Sequence, residues 1–104
     1  MVLANYVKLE TGVEKVLRIK PDSFRIEPRV IIDPVTKNKK TVNAAVMDVI
    51  EEDGVPVSKI FSTLSEKLAA ILKTAHENGT LYRFRVGIKP VGEGYAREYQ
   101  VRFF

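Results

Sequence analysis

The chain has 104 residues, 45% of them apolar, which by length makes one domain with a single compact core. With 17 Lys/Arg against 13 Asp/Glu its net charge is +4, a balance that favours anionic partners without requiring them. Cysteine is absent, which excludes disulfides, thiolate metal sites and cysteine nucleophiles and leaves the core to hold the fold unaided.

The longest apolar runs are only a few residues, and the start, Met1 to Glu10, lacks a basic segment followed by an apolar stretch. Neither a signal peptide nor a membrane span is expected, and the cytoplasm is the default compartment. Charge is unevenly spread. Residues 1–50 carry nine Lys/Arg against six Asp/Glu, residues 51–79 three against five, and residues 80–104 five against two. The acidic part is the middle. A charged fraction of 29% with no Cys, no Trp and two Met also fits a heat-adapted protein.

Residues 1–12 mix Val, Leu and Tyr with polar residues and read as a lead-in strand or arm ending at Thr11-Gly12. From Val13 the run Val16, Leu17, Ile19 predicts a strand that stops at Pro21-Asp22-Ser23, a turn-forming cluster. Phe24-Arg25-Ile26-Glu27 alternates. Pro28 lacks the amide hydrogen that a ladder needs, so this strand is expected at an edge or bent, resuming through Arg29-Val30-Ile31-Ile32. Asp33 to Lys40 is expected to be an exposed loop. Thr41 to Glu52 is nearly continuously apolar. Ala and Met suit a helix there, but the β-branched residues and the following Asp53-Gly54 favour a strand entering a hairpin turn. Val55, Val57, Ile60 and Phe61 would form a short returning strand, with Pro56 marking an edge.

Thr63-Leu-Ser-Glu66 fits a capping box, and Leu64, Leu68, Ile71, Leu72 and Ala75 recur as one stripe of a helix over 63–78. Asn78-Gly79 would stop it. Residues 81–104 then read as a closing hairpin around Pro90-Val-Gly-Glu-Gly94. In its first strand Tyr82, Phe84, Val86 and Ile88 share one face, with Arg83, Arg85 and Lys89 on the other. In its second, Tyr99, Val101 and Phe103 face the core while Glu98, Gln100 and Arg102 face water. No repeat or domain linker interrupts this order, and antiparallel connections dominate.

The order of strands, one helix and a closing hairpin resembles the OB-fold, and more narrowly the compact OB-fold single-stranded DNA-binding proteins of viruses and archaea. The residues that carry the likeness are Val46-Met-Asp-Val-Ile-Glu51 with Asp53-Gly54, the helix Leu64 to Ala75, Arg83-Phe-Arg-Val86, Gly92-Glu-Gly94-Tyr95 and Arg97-Glu-Tyr99-Gln-Val101. It spans roughly residues 13–103. The short strand after Asp53 departs from a minimal five-stranded barrel. The resemblance implies a mainly β antiparallel barrel with its helix between the middle strands and the C-terminal hairpin. It also implies a groove across the middle strands, bordered by the first and last loops, the last being Lys89 to Tyr95.

Nucleic-acid binding needs cations for phosphates and flat rings for bases. Arg83, Arg85, Lys89, Tyr95 and Arg97 offer both around the last turn, and Arg25, Arg29, Lys37, Lys39 and Lys40 would extend a basic track. The plainer reading is that these are solvated surface charges and that Tyr82, Phe84, Tyr99 and Phe103 are core. Gly92-Glu93-Gly94 lacks the helix that a dinucleotide fingerprint requires. Glu51-Glu52-Asp53 on a strand do not converge as metal ligands would. The single histidine, His76, reads as a surface helix position. Ser62, Thr63 and Ser65 have no general base in reach and suit helix capping. The expected activity is therefore non-catalytic binding of single-stranded nucleic acid, DNA by resemblance, without cofactor or metal. The alternative is a structural or assembly module, possible as a homodimer, that uses a barrel edge and the pair Phe103-Phe104.

Overall fold

β-branched and aromatic residues dominate the sequence runs, and the computed structural model, which describes residues 5–92 and 97–104, is accordingly mainly β. One antiparallel sheet of six strands is joined by two helices: β1 (Lys15–Ile19), β2 (Arg25–Ile32), β3 (Lys39–Glu52), β4 (Val55–Thr63), α1 (Glu66–Asn78), α2 (Thr80–Arg83), β5 (Val86–Val91) and β6 (Glu98–Phe103). The sheet is not closed among the described residues.

The 14-residue β3 is the backbone of the sheet. Its second half pairs with β4 on one edge and with β1 on the other, since Val49 is the partner of both Lys59 and Ile19. Ala45 is likewise shared by Thr63 of β4 and Ile26 of β2. β1 and β2 therefore lie end to end along the same edge of β3. Between them Asp22 takes φ 60 and Ser23 Oγ donates to Lys20 O at 2.7 Å, which turns the chain out and back. The other side of β1 pairs with β5, and β5 with β6. The β3–β4 connection is the Asp53-Gly54 turn anticipated from the sequence. Both residues have positive φ, 50 and 83, which favours glycine at the second position.

α1 covers the core face. Leu68, Leu72 and Ala75 are buried against Leu17, Met47, Phe61, Val86 and Ile88, each of which contributes on the order of 1.5–3 kcal/mol if fully withdrawn from water. Leu64 and Ile71, expected on the same stripe, are 50% and 39% exposed. The helix also begins later than the capping box suggested. Ser65 is the cap, its Oγ accepting from Leu68 N at 3.2 Å, while Thr63 is the last residue of β4 and its Oγ1 accepts from Ser65 N.

Several other expectations are corrected. Lys39 and Lys40 belong to β3 rather than to the loop, which closes at Asp33–Asn38 with Asp33 N donating to Asn38 O at 2.9 Å. Pro28 leaves β2 continuous, as an edge strand can be. β4 is longer than read, running to Thr63. Thr80 to Arg83 is a helical turn, so Tyr82 and Phe84 do not alternate with Val86 in a strand. Tyr82 packs on the core and Phe84 is 46% exposed. His76 is half-buried: Phe24 stacks on its ring with centroids 5.0 Å apart, and its Nδ1 shares a hydrogen bond with the Tyr82 hydroxyl. Burial raises the pKa of Tyr82. These three rings tie the β1–β2 connection to the end of α1. In the described part of the lead-in segment, Tyr6 bridges Ile60 in parallel and Val7 N donates to Ile60 O at 2.9 Å.

Candidate nucleic-acid interface

The strand residues that point away from the core meet on the outer face of β1, β5 and β6. Gly87, at the centre of that face, has no side chain, and its neighbours fold over it. A Cβ there would meet Glu14 Oε2 at 2.7 Å and Phe104 Cε1 at 3.2 Å. Arg102, opposite Gly87 in the β5–β6 ladder, holds Glu14 through Nε and Nη2, both at 2.6 Å, and its guanidinium lies 4.4 Å from the Phe104 ring centroid. The bond to Arg102 holds the Glu14 carboxyl below the usual glutamate range.

A second pair adjoins it. Arg85 Nε donates to Glu51 Oε1 at 2.7 Å, which lowers the Glu51 pKa, and Arg18 is the ladder partner of Glu51. Phe104 continues the β5–β6 ladder to Arg85 by two backbone bonds of 2.9 and 3.0 Å. Lys89, half-buried on β5, adds positive charge near Glu14. The face thus gathers Arg18, Arg85, Lys89 and Arg102 against Glu14 and Glu51, with Phe104 48% exposed beside them.

The remaining expected site residues are dispersed. Arg83 sits in α2, and Arg97 stacks on Tyr99 at 5.6 Å before β6. Tyr95 lies outside the described residues. Arg25 and Arg29 both pair with Glu27, at 3.4 and 3.6 Å, and Arg25 also reaches Asp48 Oδ1 at 3.3 Å. Lys37 is in the hairpin turn with φ 62, and Lys39 and Lys40 point to opposite faces at the start of β3. Lys40 and Glu51 are eleven residue steps apart along β3, a span of up to about 36 Å. One continuous track through the nine described residues of the set is therefore not what the fold assembles.

Sequence reasoning did not list Arg18, Arg102 or Phe104 as site residues. Alternation already put Arg102 on the wet face. Its grouping with Arg18 and Phe104 depends on β1 pairing with β5, which no local pattern encodes.

The carboxylates are each paired: Glu51 with Arg85, Glu52 with Lys59 and Lys15, and Asp53 with Lys15 and the Val16 amide, so that Lys15 is shared by the last two. Among the described residues no group of three or more His, Asp or Glu is placed to hold a metal ion, and no helix is long and apolar enough to cross a membrane. A cleft of ≈ 490 Å³ between α1 and Phe103 is lined without any ionisable side chain. A second cavity, of ≈ 360 Å³, lies between β4 and β6, with Phe61 to Thr63 on one side, Arg97 and Tyr99 on the other, and Val7 and Leu9 between. In comparison with known proteins, the chain matches no protein-family model, no curated protein and no solved structure.

Proposed function

We propose that this protein binds single-stranded nucleic acid without catalysis, DNA being preferred by the OB-fold resemblance, through the outer face of β1, β5 and β6. The observation that carries the reading is the exposed Arg102–Phe104 pair on a face with four cations and two carboxylates. An open ring beside a planar guanidinium offers stacking surfaces for bases, at about 1–3 kcal/mol per stacked base, and the cations offer phosphate contacts. Arg85 and Arg102 are engaged by carboxylates on a solvated surface, where salt screens the pairs and a phosphate would compete for the same guanidinium donors. The pairing order supports a partly open OB-type barrel. A long first strand split into β1 and β2, a meander through β3 and β4, a helix, and a hairpin returning to β1 are its parts. The shared cavity between the β4 and β6 edges supports it as well.

Titration of labelled single- and double-stranded oligonucleotides across a salt series tests the proposal. Contact with about four phosphates gives a log–log slope of roughly −3 for single strands. Absence of single-strand binding at low salt overturns it.

A further inference from the structure

β2 is an edge strand with an unspent apolar stripe. Ile26, Val30 and Ile32 are 50%, 66% and 65% exposed, all on the face that carries core Ala45, whereas Arg25, Glu27, Arg29 and Ile31 on the other face are half-buried. The hairpin bond from Asp33 to Asn38 fixes which backbone groups are spent. Bonded pairs recur every second residue, so Ile31, Arg29, Glu27 and Arg25 bond to β3. The amides of Ile26, Val30 and Ile32 and the carbonyls of all four even residues point to the open edge, where β2 has no neighbour among the described residues. Pro28, lacking a donor, stands on that side as an edge proline must.

We infer that two copies of this chain associate by antiparallel pairing of β2 with β2, about a two-fold axis through Pro28. Charge complementarity selects both the occupant and the register. With the axis at Pro28, residues 25–31 overlap, Ile26 faces Val30 of the second copy, and Glu27 faces Arg29 of the second copy twice over. These last are non-bonded pairs, whose side chains are the closer ones in an antiparallel ladder, and opposite charges there stabilise it. Shifting the axis to Arg29 keeps the overlap but sets Arg29 against itself. Shifting it to Glu27 shortens the overlap and sets Glu27 against itself. An edge proline ordinarily discourages pairing. Placing both prolines on the axis confines the missing donors to one residue pair and leaves the bonds of Ile26 and Val30 intact. The pairing continues the sheet across the dimer and doubles the apolar stripe. It is independent of nucleic-acid binding, which uses the other end of the sheet.

Sedimentation equilibrium over a wide concentration series is the test. The wild type is expected to approach twice its 11.8 kDa mass, whereas a monomer at every concentration, or an open-ended polymer, overturns the inference. Glu27→Arg and Arg29→Glu should each give a folded monomer by circular dichroism, and the double exchange should restore the dimer. Folded single variants that stay dimeric, or a folded double variant that stays monomeric, contradict the register. Because Glu27 also pairs within its own chain, a second variant avoids that pair. Pro28→Cys, in a chain with no other cysteine, should cross-link to itself under mild oxidation faster than Val30→Cys, whose opposite residue is Ile26. Equal rates contradict the axis.

Discussion

The two halves of β3 live in different environments. In the second half Ala45, Met47 and Val49 are at most 1% exposed beneath α1, while in the first half Lys39, Thr41 and Asn43, on the same face, are exposed. The body of the sheet is held by burial. The ribbon made by β2 and the first half of β3 reaches past the helix and is held by one ladder of backbone bonds and by side-chain pairs such as Arg25–Glu27. Apolar residues in the body are therefore committed to stability, and those in the ribbon are free to meet a partner.

Substitutions in the two regions should differ in cost. Leu68→Asp, in the body, should cost several kcal/mol, because a fully buried apolar group is lost and a charge is forced inward. Unchanged denaturant unfolding in that variant would show that α1 does not cover the core. Ser65→Ala removes the cap of the covering helix and should cost about 1 kcal/mol by the same measurement, with Thr63→Ala costing less. Val30→Ser, in the ribbon, should stay within about 0.5 kcal/mol in dilute protein. A loss as large as that of a core residue would mean the ribbon is buried. Acidification should give a gradual decline. Arg102, Arg85 and the Val16 amide lower the pKa values of Glu14, Glu51 and Asp53 below their ordinary values of 4.5, 4.5 and 3.8. The stability they supply is complete above those ordinary values and is lost as pH falls through the lower folded ones. Thermal melts that do not change from pH 6 to acid would mean these pairs do not form in solution.

Much of the fold was legible because its signals are local. Asp53-Gly54 announces a hairpin, Leu68, Leu72 and Ala75 announce a buried helix stripe, and Pro28 announces an edge. The misread parts are those where tertiary context overrides a local pattern. Tyr82 and Phe84 fit a period of two, yet Gly79 turns the chain into a further helical turn so that Tyr82 can meet His76. Lys39 and Lys40 look like loop residues, and they join β3 only because β2 lies opposite to pair with them. The candidate face was half legible. Alternation located Arg85, Lys89 and Arg102, but their grouping with Arg18, Glu14 and Phe104 requires the contact between β1 and β5, some seventy residues apart.

The most direct test of the binding proposal compares the salt dependence of single-strand affinity in two variants, Arg85→Ala/Arg102→Ala on the body face and Lys37→Ala/Lys39→Ala/Lys40→Ala at the ribbon tip. The ribbon-tip variant should melt like the wild type, and the body-face variant should stay folded with only a small drop in melting temperature, from the two ion pairs whose loss acid also reports. The body-face variant is expected to flatten the log–log slope by about 1.4, the share of two phosphate contacts, while the ribbon-tip variant keeps the wild-type slope. An unchanged slope in the body-face variant, with the loss appearing at the ribbon tip, would contradict it.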